Sequence, residues 1–318
     1  YSLNYAENLF AIDINRDEVQ ASLDEFNIDI VIDHDTFEDY GIERSEYEDY
    51  IYEAVLLWES NIDTGLPAVD SFGFSGENNE PVDNFYGFDW SMGEEIDDVL
   101  IYFEAYDYGQ SNGVLGEGGV TELRWSNEYE VGLPSQGFVT FGTYIFDLEP
   151  GQIDVTSFVA HEIAHVLGFG TLWRDIYGDN NLLGPWNQYG KGDLINENGN
   201  YVGEYALEKY SELMGEIKEY IPVEKDGGEG TAGVHWDDDS FYQELMDGYI
   251  YGSDNYLSEI TINSLNDLGY ETIEFSDSYT QLISEIARGI SQENDFANSI
   301  ITASEIMDEN STNKNLIL

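Results

Sequence analysis

The stretch His161-Glu162-Ile163-Ala164-His165-Val166-Leu167-Gly168-Phe169 decides the fold of this 318-residue chain. It holds two of the four histidines in the sequence, placed four residues apart. At about 3.6 residues per turn, that spacing stacks the imidazoles of His161 and His165 on one face of a helix. Gly168 is a typical residue for ending such a helix. The sequence therefore predicts a helix that presents two imidazoles together and stops just after them.

These two imidazoles have the spacing of metal ligands. From one helix face, a nitrogen of each ring can reach a single Zn²⁺ at about 2.0–2.1 Å. Glu162 directly follows the first histidine, so its carboxylate is expected beside the metal, where it can accept a proton from water. Val159 and Ile163 are apolar, and burying histidines and a glutamate among such residues without a partner would be costly. The pattern favours a metallopeptidase site over a helix that carries His and Glu incidentally.

The third metal ligand is not obvious from spacing. A catalytic zinc site has three protein ligands and one open position. The compact metzincin pattern HExxHxxGxxH would place the third histidine at position 171, where this chain has Thr171. The remaining histidines are His34, before the first long helix, and His235. A glutamate on a downstream helix, Glu204 or Glu208, is the alternative third ligand.

Two further motifs follow the HExxH stretch in order. Residues 230–236 read GTAGVHW, and residues 244–248 read ELMDG. Together with residues 161–169, they make the chain resemble the leishmanolysin family, metzincin zinc peptidases whose third histidine is displaced by a long insertion. The resemblance covers roughly residues 95–270. The chain contains no cysteine, unlike the better-known members, so it resembles a bacterial-type, cysteine-free member without disulfide-stabilised loops.

The resemblance assigns roles to individual residues. It implies that His161, His165 and His235 are the zinc ligands and that Glu162 is the general base. Met246 would form the methionine turn, a hydrophobic floor beneath the metal.

The resemblance also implies an activity. The chain would be a zinc-dependent endopeptidase that hydrolyses peptide bonds of extended protein substrates by Glu-assisted attack of a zinc-bound water. Residues 236–250 would line the pocket after the scissile bond. Tyr249 can contribute a phenol near the oxyanion, although a structural role for it is the alternative.

The family's layout suggests where substrate binds. An extended peptide would pair its backbone with an exposed strand edge, which we place at Gly118–Trp125, with Phe138–Phe146 as the second candidate. The contacting residues of the first candidate would be Gly119, Val120 and Thr121.

The expected fold is an α+β, metzincin-like zincin. An N-terminal lobe, residues 1–170, would hold a twisted, mostly parallel sheet and two long helices. Residues 171–270 would form a mainly irregular and helical C-terminal lobe, with the active-site cleft between the lobes. Residues 271–318 would form a helical extension.

Hydrophobic periodicity predicts the individual elements. Ser45 with Glu48 resembles a capping box, and Asp154 or Thr156 can cap the HExxH helix. Predicted strands cover residues 26–33, 98–105, 120–125 and 138–146. Predicted helices cover residues 45–60, 157–167, 204–214, 257–268, 278–290 and 295–308.

Composition excludes several functions. The chain has 66 acidic and 10 basic residues, for a formal net charge of −56. So negative a surface repels nucleic acids and anionic lipid headgroups. Hydrophobic residues make up 42% of the chain, enough for a globular core. No apolar run reaches the roughly 18 residues of a membrane span. The start, Tyr1-Ser2-Leu3-Asn4, indicates a matured chain, and we expect a secreted or cell-surface monomer.

The acidity also suggests a second class of function. A catalytically silent, acidic, calcium-binding surface or matrix protein on a metzincin scaffold is the alternative to an enzyme. Asp237-Asp238-Asp239 and Gly252-Ser253-Asp254-Asn255 could supply oxygen ligands for Ca²⁺. No EF-hand loop or glycine-rich nonapeptide repeat accompanies them. Glu162 discriminates the two classes, because a silent scaffold has no need to retain a general base.

We predict that salt stabilises the protein. Most carboxylates lack a basic partner, so their mutual repulsion should loosen the fold at low ionic strength. The melting temperature should therefore rise with added NaCl or CaCl₂, as measured by circular dichroism. A flat response up to molar NaCl would contradict this interpretation of the charge.

Overall fold

The computed structural model describes ten segments of the chain. These are residues 25–66, 68–70, 95–109, 114–124, 132–149, 151–173, 194–228, 230–250, 252 and 255–273. The strands are β1 (Ile28–Ile32), β2 (Val69–Asp70), β3 (Glu95–Ile96), β4 (Val99–Tyr106), β5 (Gly116–Leu123) and β6 (Pro134–Gly142). The helices are α1 (His34–Asp39), α2 (Glu48–Glu59), α3 (Val155–Val166), α4 (Glu204–Met214) and α5 (Glu259–Leu268). Short 3-10 helices cover Arg44–Glu46 and Thr143–Asp147.

A four-stranded sheet forms the N-terminal part, in the order β1-β4-β6-β5. Strands β1, β4 and β6 are parallel, and β5 runs antiparallel to β6 at the edge of the described sheet. A separate antiparallel pair joins β2 and β3. The expected mixed α+β architecture with a mostly parallel sheet is confirmed.

Helix α3 lies on this sheet and carries the HExxH residues. Every residue from Phe158 to Val166 is buried. On its other side α3 meets α2, where the indole Nε1–H of Trp58 donates to the backbone oxygen of Ala160 at 2.8 Å. Trp58 is fully buried, so its hydrogen bond satisfies a polar group in the core. The sheet and α2 thus hold α3 from two sides.

Glycines allow the close contact between α3 and the sheet. A Cβ added to Gly137 of β6 would lie 2.3 Å from Cγ1 of Val166, and one on Gly118 of β5 would lie 2.4 Å from the backbone oxygen of Glu162. Real side chains do not tolerate such distances, so only glycine fits here.

The glycines of β5 explain why the predicted start of that strand is wrong. The sequence predicts a strand that starts at Val120, because the preceding glycines favour a turn. In the structure β5 starts at Gly116, since these glycines serve packing rather than turning. Trp125, the predicted end of the strand, lies outside the described residues.

Two other local predictions are also wrong. The strand predicted for residues 138–146 is β6, which spans Pro134–Gly142 and is followed by a 3-10 helix. The aromatic residues there reflect burial against Phe37 rather than an extended backbone. Ser45 and Glu48 form no capping box. The capping box lies two residues earlier, on the 3-10 helix before α2, where the Glu43 N–H donates to the carboxylate of Glu46 at 2.7 Å.

The C-terminal part is built on α4 and α5, both close to their predicted bounds. The carboxylate of Asp267 on α5 accepts backbone N–H groups of Tyr205 and Ala206 at 2.9 and 3.1 Å. It therefore satisfies donors at the start of α4 that have no partner within that helix. Lys209 and Glu259 add an ion pair of 3.3 Å between the two helices. The predicted helices at 278–290 and 295–308 lie outside the described residues.

We predict that Gly137→Ala destabilises the fold by about 1–3 kcal/mol, because the new methyl group overlaps Val166. The matched control is Gly119→Ala in β5, where a Cβ would meet only the ring edge of Phe138 at 3.3 Å. Urea unfolding should show a clearly larger loss for Gly137→Ala. Equal losses of unfolding free energy in the two variants would mean that packing of α3 on the sheet does not require a residue without a Cβ at position 137.

Candidate metal centre

Helix α3 carries His161 and His165, and its two ends are fixed by a capping residue and by a glycine. Asp154 caps the helix, with its carboxylate accepting the N–H of Ser157 at 3.3 Å and the hydroxyl of Ser157 at 2.8 Å. The helix ends before Gly168, whose φ of +105° is a conformation that favours glycine. Asp154, rather than Thr156, is therefore the cap.

His235 reaches the same place from the C-terminal part. The backbone N–H of Glu224 donates to the oxygen of His235 at 2.9 Å, and the N–H of Trp236 donates to the oxygen of Met246 at 2.9 Å. Trp236 is fully buried. Its ring packs among aromatic side chains: Phe169, Trp173, Tyr201 and Phe241.

The three imidazoles converge on one point. The Nε2 atoms of His161 and His235 are 2.9 Å apart, those of His165 and His235 are 3.0 Å apart, and those of His161 and His165 are 3.1 Å apart. The side chains are buried, with exposures of 0, 7 and 0% for His161, His165 and His235.

The opposite nitrogen of each ring fixes its tautomer. The Nδ1 atoms lie 2.6 Å from the oxygen of Leu245 for His161, 2.9 Å from Phe169 for His165, and 2.9 Å from Thr231 for His235. A backbone carbonyl only accepts, so each Nδ1 must carry the hydrogen. Each Nε2 then presents a lone pair, and three lone pairs face one another without a donor between them.

This donor set fits Zn²⁺. Three neutral imidazoles with Nδ1–H groups held by carbonyls are a common way of supplying nitrogen ligands. Burial lowers the pKa of His165 to about 4 and that of His235 to about 3. Burial, then the neighbouring rings, hold the pKa of His161 well below its usual range. All three rings are therefore neutral near pH 7, the form that binds a metal.

Glu162 lies beside this group and is not part of it. It is 1% exposed, and its Oε1 has no hydrogen-bond partner among the described residues. Burial, followed by the charge of Glu117, raises the pKa of Glu162 to about 8, and a hydrogen bond from the Gly118 backbone opposes the rise. The carboxyl group is thus buried, has one oxygen without a hydrogen-bond partner among the described residues, and belongs to the residue that directly follows His161.

Strand β5 passes directly over Glu162, through the Gly118 contact described above. Gly119 and Val120 pair with Phe138 and Gly137 of β6, and Thr121 lies at a bulge between the paired residues. The other side of β5 faces no further strand within the described sheet. The predicted substrate strand is therefore an edge strand next to the candidate site, whereas the second candidate, β6, is internal.

The predicted methionine turn runs along the histidine rings. The oxygen of Leu245 binds His161, Met246 is fully buried, and a Cβ on Gly248 would lie 3.6 Å from Cγ of His235. Tyr249 donates its backbone N–H to Asp247 at 3.0 Å. Burial, then nearby carboxylates, raise the pKa of Tyr249, and no described hydrogen bond joins its phenol to the histidines. The oxyanion role of Tyr249 stays a prediction.

The other ligand candidates lie elsewhere. His34 places its Nδ1 2.7 Å from the hydroxyl of Tyr47, away from the three histidines. Glu204 and Glu208 are exposed on α4, and neither belongs to the histidine group. The geometry favours His235 over a glutamate as the third ligand.

One acidic group with possible ligand geometry exists among the described residues. Carboxylate oxygens of Glu224, Asp237 and Asp238 lie within 4.8 Å of one another. Two of them already accept protein hydrogen bonds: Glu224 from the N–H groups of Lys225 and Asp226, both at 2.7 Å, and Asp237 from the hydroxyl of Ser240 at 2.6 Å. Ser253 and Asp254 lie outside the described residues, so a calcium site stays a prediction.

A family comparison agrees with this geometry. The leishmanolysin family profile matches residues 130–289, half of the chain, including α3, His235 and Met246. The chain belongs to the leishmanolysin family. The resemblance inferred from the sequence is therefore confirmed, and with it a metallopeptidase class, peptide substrates and a family dependence on zinc. No curated protein matches the chain. None of the described helices has the length and apolar character needed to cross a bilayer.

Sequence reasoning missed two parts of this leishmanolysin-family site. Gly118 was predicted only as part of a glycine-rich turn and as the first residue of the candidate substrate edge, yet it brings β5 onto Glu162. Glu244 is the first residue of the ELMDG motif, and the sequence predicted no role for it, although it is fully buried. The sequence carries no local signal that marks either the hydrogen-bond network of Glu244 or the contact of Gly118 with Glu162.

We predict that His235→Ala lowers zinc affinity by more than about 100-fold, because it removes one of three converging donors. Competition with a chromophoric chelator measures the change. His34→Ala is the matched control and should bind zinc as the parent does. Parental affinity in His235→Ala would instead point to a carboxylate such as Glu204 as third ligand.

Proposed function

We propose that this chain is a zinc-dependent endopeptidase that cleaves extended protein substrates. One observation carries the proposal: three buried Nε2 lone pairs converge, and the residue after His161 is a buried carboxylate with an oxygen that has no hydrogen-bond partner among the described residues. His161, His165 and His235 would hold the metal, and Glu162 would be the general base. When bound, Zn²⁺ supplies a Lewis acid that polarises the scissile carbonyl and lowers the pKa of a water molecule to about 7.

Glu162 moves the proton in this proposal. A general base must be ionised, and the charge of a nearby Zn²⁺ would lower the raised pKa of Glu162 and favour that form. Its Oε1 would then accept a proton from the attacking water as the new C–O bond forms, and return that proton to the amide nitrogen as the C–N bond breaks. The environment of Oε1 supports this role, since no donor among the described residues engages that oxygen. The Gly118 N–H steadies the carboxylate from the side of β5.

The edge strand would orient the substrate. A peptide added to β5 as a further strand would be held by backbone hydrogen bonds, a mode that suits extended and unfolded chains. Gly119, Val120 and Thr121 would provide these bonds, with the bulge at Thr121 ending the regular pairing. Residues 236–250 would form the opposite wall, where Tyr249 would donate to the oxyanion.

We propose further that the active-site cleft lies between residues 1–170 and residues 171–270. The sheet and α3 contribute the edge strand, two ligands and the base, and the second part contributes His235 and the methionine turn. We further propose that the protein works as a monomer outside the cell or at its surface, in line with its acidic composition. The retained Glu162 favours this enzyme over a silent calcium-binding scaffold.

We predict that Glu162→Gln keeps about one zinc per chain but slows cleavage of a denatured protein substrate by about 100- to 10,000-fold, because general-base catalysis is lost. Glu208→Gln on α4 is the control and should cleave at the parental rate. Metal content and fluorogenic digestion assays measure the two quantities. Cleavage by Glu162→Gln at the rate of the parent would refute the proposed mechanism.

A further inference from the structure

Glu244 is a buried carboxylate that collects four hydrogen bonds. It is 0% exposed. Its Oε2 accepts the backbone N–H of Met246 at 2.6 Å. Its Oε1 accepts the N–H of Ser258 at 3.0 Å, the hydroxyl of Ser258 at 2.7 Å and the hydroxyl of Thr261 at 2.5 Å. One side chain therefore ties the methionine turn to the start of α5.

The residues held by Glu244 are the ones that orient two histidines. Leu245 lies between Glu244 and Met246, and its oxygen accepts the Nδ1–H of His161. The oxygen of Met246 accepts the N–H of Trp236, the neighbour of His235. Displacing residues 244–246 would therefore move the backbone oxygens that hold the ring of His161 and the neighbour of His235.

A second chain of hydrogen bonds connects Glu244 to the neighbour of His235, through the side chains of Thr261 and Trp236. The indole Nε1–H of Trp236 donates to the hydroxyl oxygen of Thr261 at 2.8 Å. The same hydroxyl donates its hydrogen to Glu244. Because the Glu244 carboxylate can only accept, the Thr261 hydroxyl points its hydrogen toward Glu244. The lone pair of the Thr261 oxygen then accepts the indole N–H of Trp236.

The backbone is bent to make these contacts. Gln243 has a φ of +64° and is the one non-glycine residue with positive φ in the described part of the chain. This conformation is unfavourable for a residue with a Cβ. It persists because the surrounding contacts require it, which indicates that the position of Glu244 is strongly specified.

We propose that Glu244 is a positioning residue for the metal centre, acting on His161 through Leu245 and on His235 through Trp236. The inference rests on the proposed zinc role of the histidines. Supports behind metal ligands orient the rings and tune affinity, and their loss typically weakens metal binding by about 10- to 100-fold. A purely structural role would instead lower stability and leave zinc affinity unchanged.

Glutamine is a sharp probe of this role. Both oxygens of Glu244 accept a backbone N–H, from Met246 on one side and from Ser258 on the other. An amide has one oxygen and one NH₂ group, so in either orientation a donor would face a donor. Glu244→Gln keeps the size of the side chain and breaks one side of the network.

The experiment measures zinc dissociation constants by chelator competition at a temperature where circular dichroism shows each protein folded. Glu244→Gln should bind zinc about 10- to 100-fold more weakly than the parent. It should also change the visible spectrum of the Co²⁺-loaded protein. The matched control is Glu259→Gln, another buried carboxylate at the start of α5, whose ion partner is Lys209 rather than the methionine turn. The control should keep the zinc affinity and Co²⁺ spectrum of the parent.

Parental zinc affinity in a folded Glu244→Gln would overturn the inference, even if its unfolding free energy fell. Should Glu244→Gln fail to fold, Thr261→Val decides: weaker zinc binding supports the inference, and unchanged binding overturns it. A parent that binds no zinc would overturn the proposed function and this inference together. A parent that binds zinc alongside an unaffected Glu244→Gln would overturn only the inference.

Discussion

Three imidazole lone pairs face one another in the dry interior of this protein, and the rest of the site depends on that constraint. Each ring is committed by its Nδ1–H to a backbone carbonyl, so no ring can turn a hydrogen toward the centre. An unsatisfied buried polar group costs about 1–3 kcal/mol. In the proposed function a bound cation would remove that cost at three positions, which would couple metal binding to folding. Because His235 comes from a stretch 70 residues after His165, the metal would also link these two distant stretches of the chain.

Close packing brings the remaining groups to this centre. The bare surface at Gly118 and Gly137 lets α3 lie directly on β5 and β6. Glu162 is then covered by β5, which explains why its carboxyl is buried and why a sheet edge runs beside it. A bulkier residue at either glycine would move the helix, the base and the edge strand apart. In the proposed function, binding of an extended peptide and activation of water would therefore both depend on this one packing arrangement.

The sequence predicted correctly those helices and strands whose bounds depend on interactions between neighbouring residues. Helix α3 follows from the spacing of His161 and His165, the Asp154 cap and the Gly168 stop, and all of these depend on neighbouring residues. The approach of His235 across 70 residues was not predictable from periodicity; it came from the GTAGVHW and ELMDG motifs. The start of β5 was wrong because the reason for its glycines is a contact with α3. The network of Glu244 was likewise not predictable from local patterns, since three of its four hydrogen bonds come from Ser258 and Thr261, at the start of α5 and 14 and 17 residues later in the chain.

Zinc K-edge X-ray absorption of the purified protein tests the central claim most directly. The account predicts three imidazole nitrogens at about 2.0–2.1 Å and one additional light-atom ligand. A spectrum with fewer than three imidazoles, or with a carboxylate replacing one of them, would contradict it.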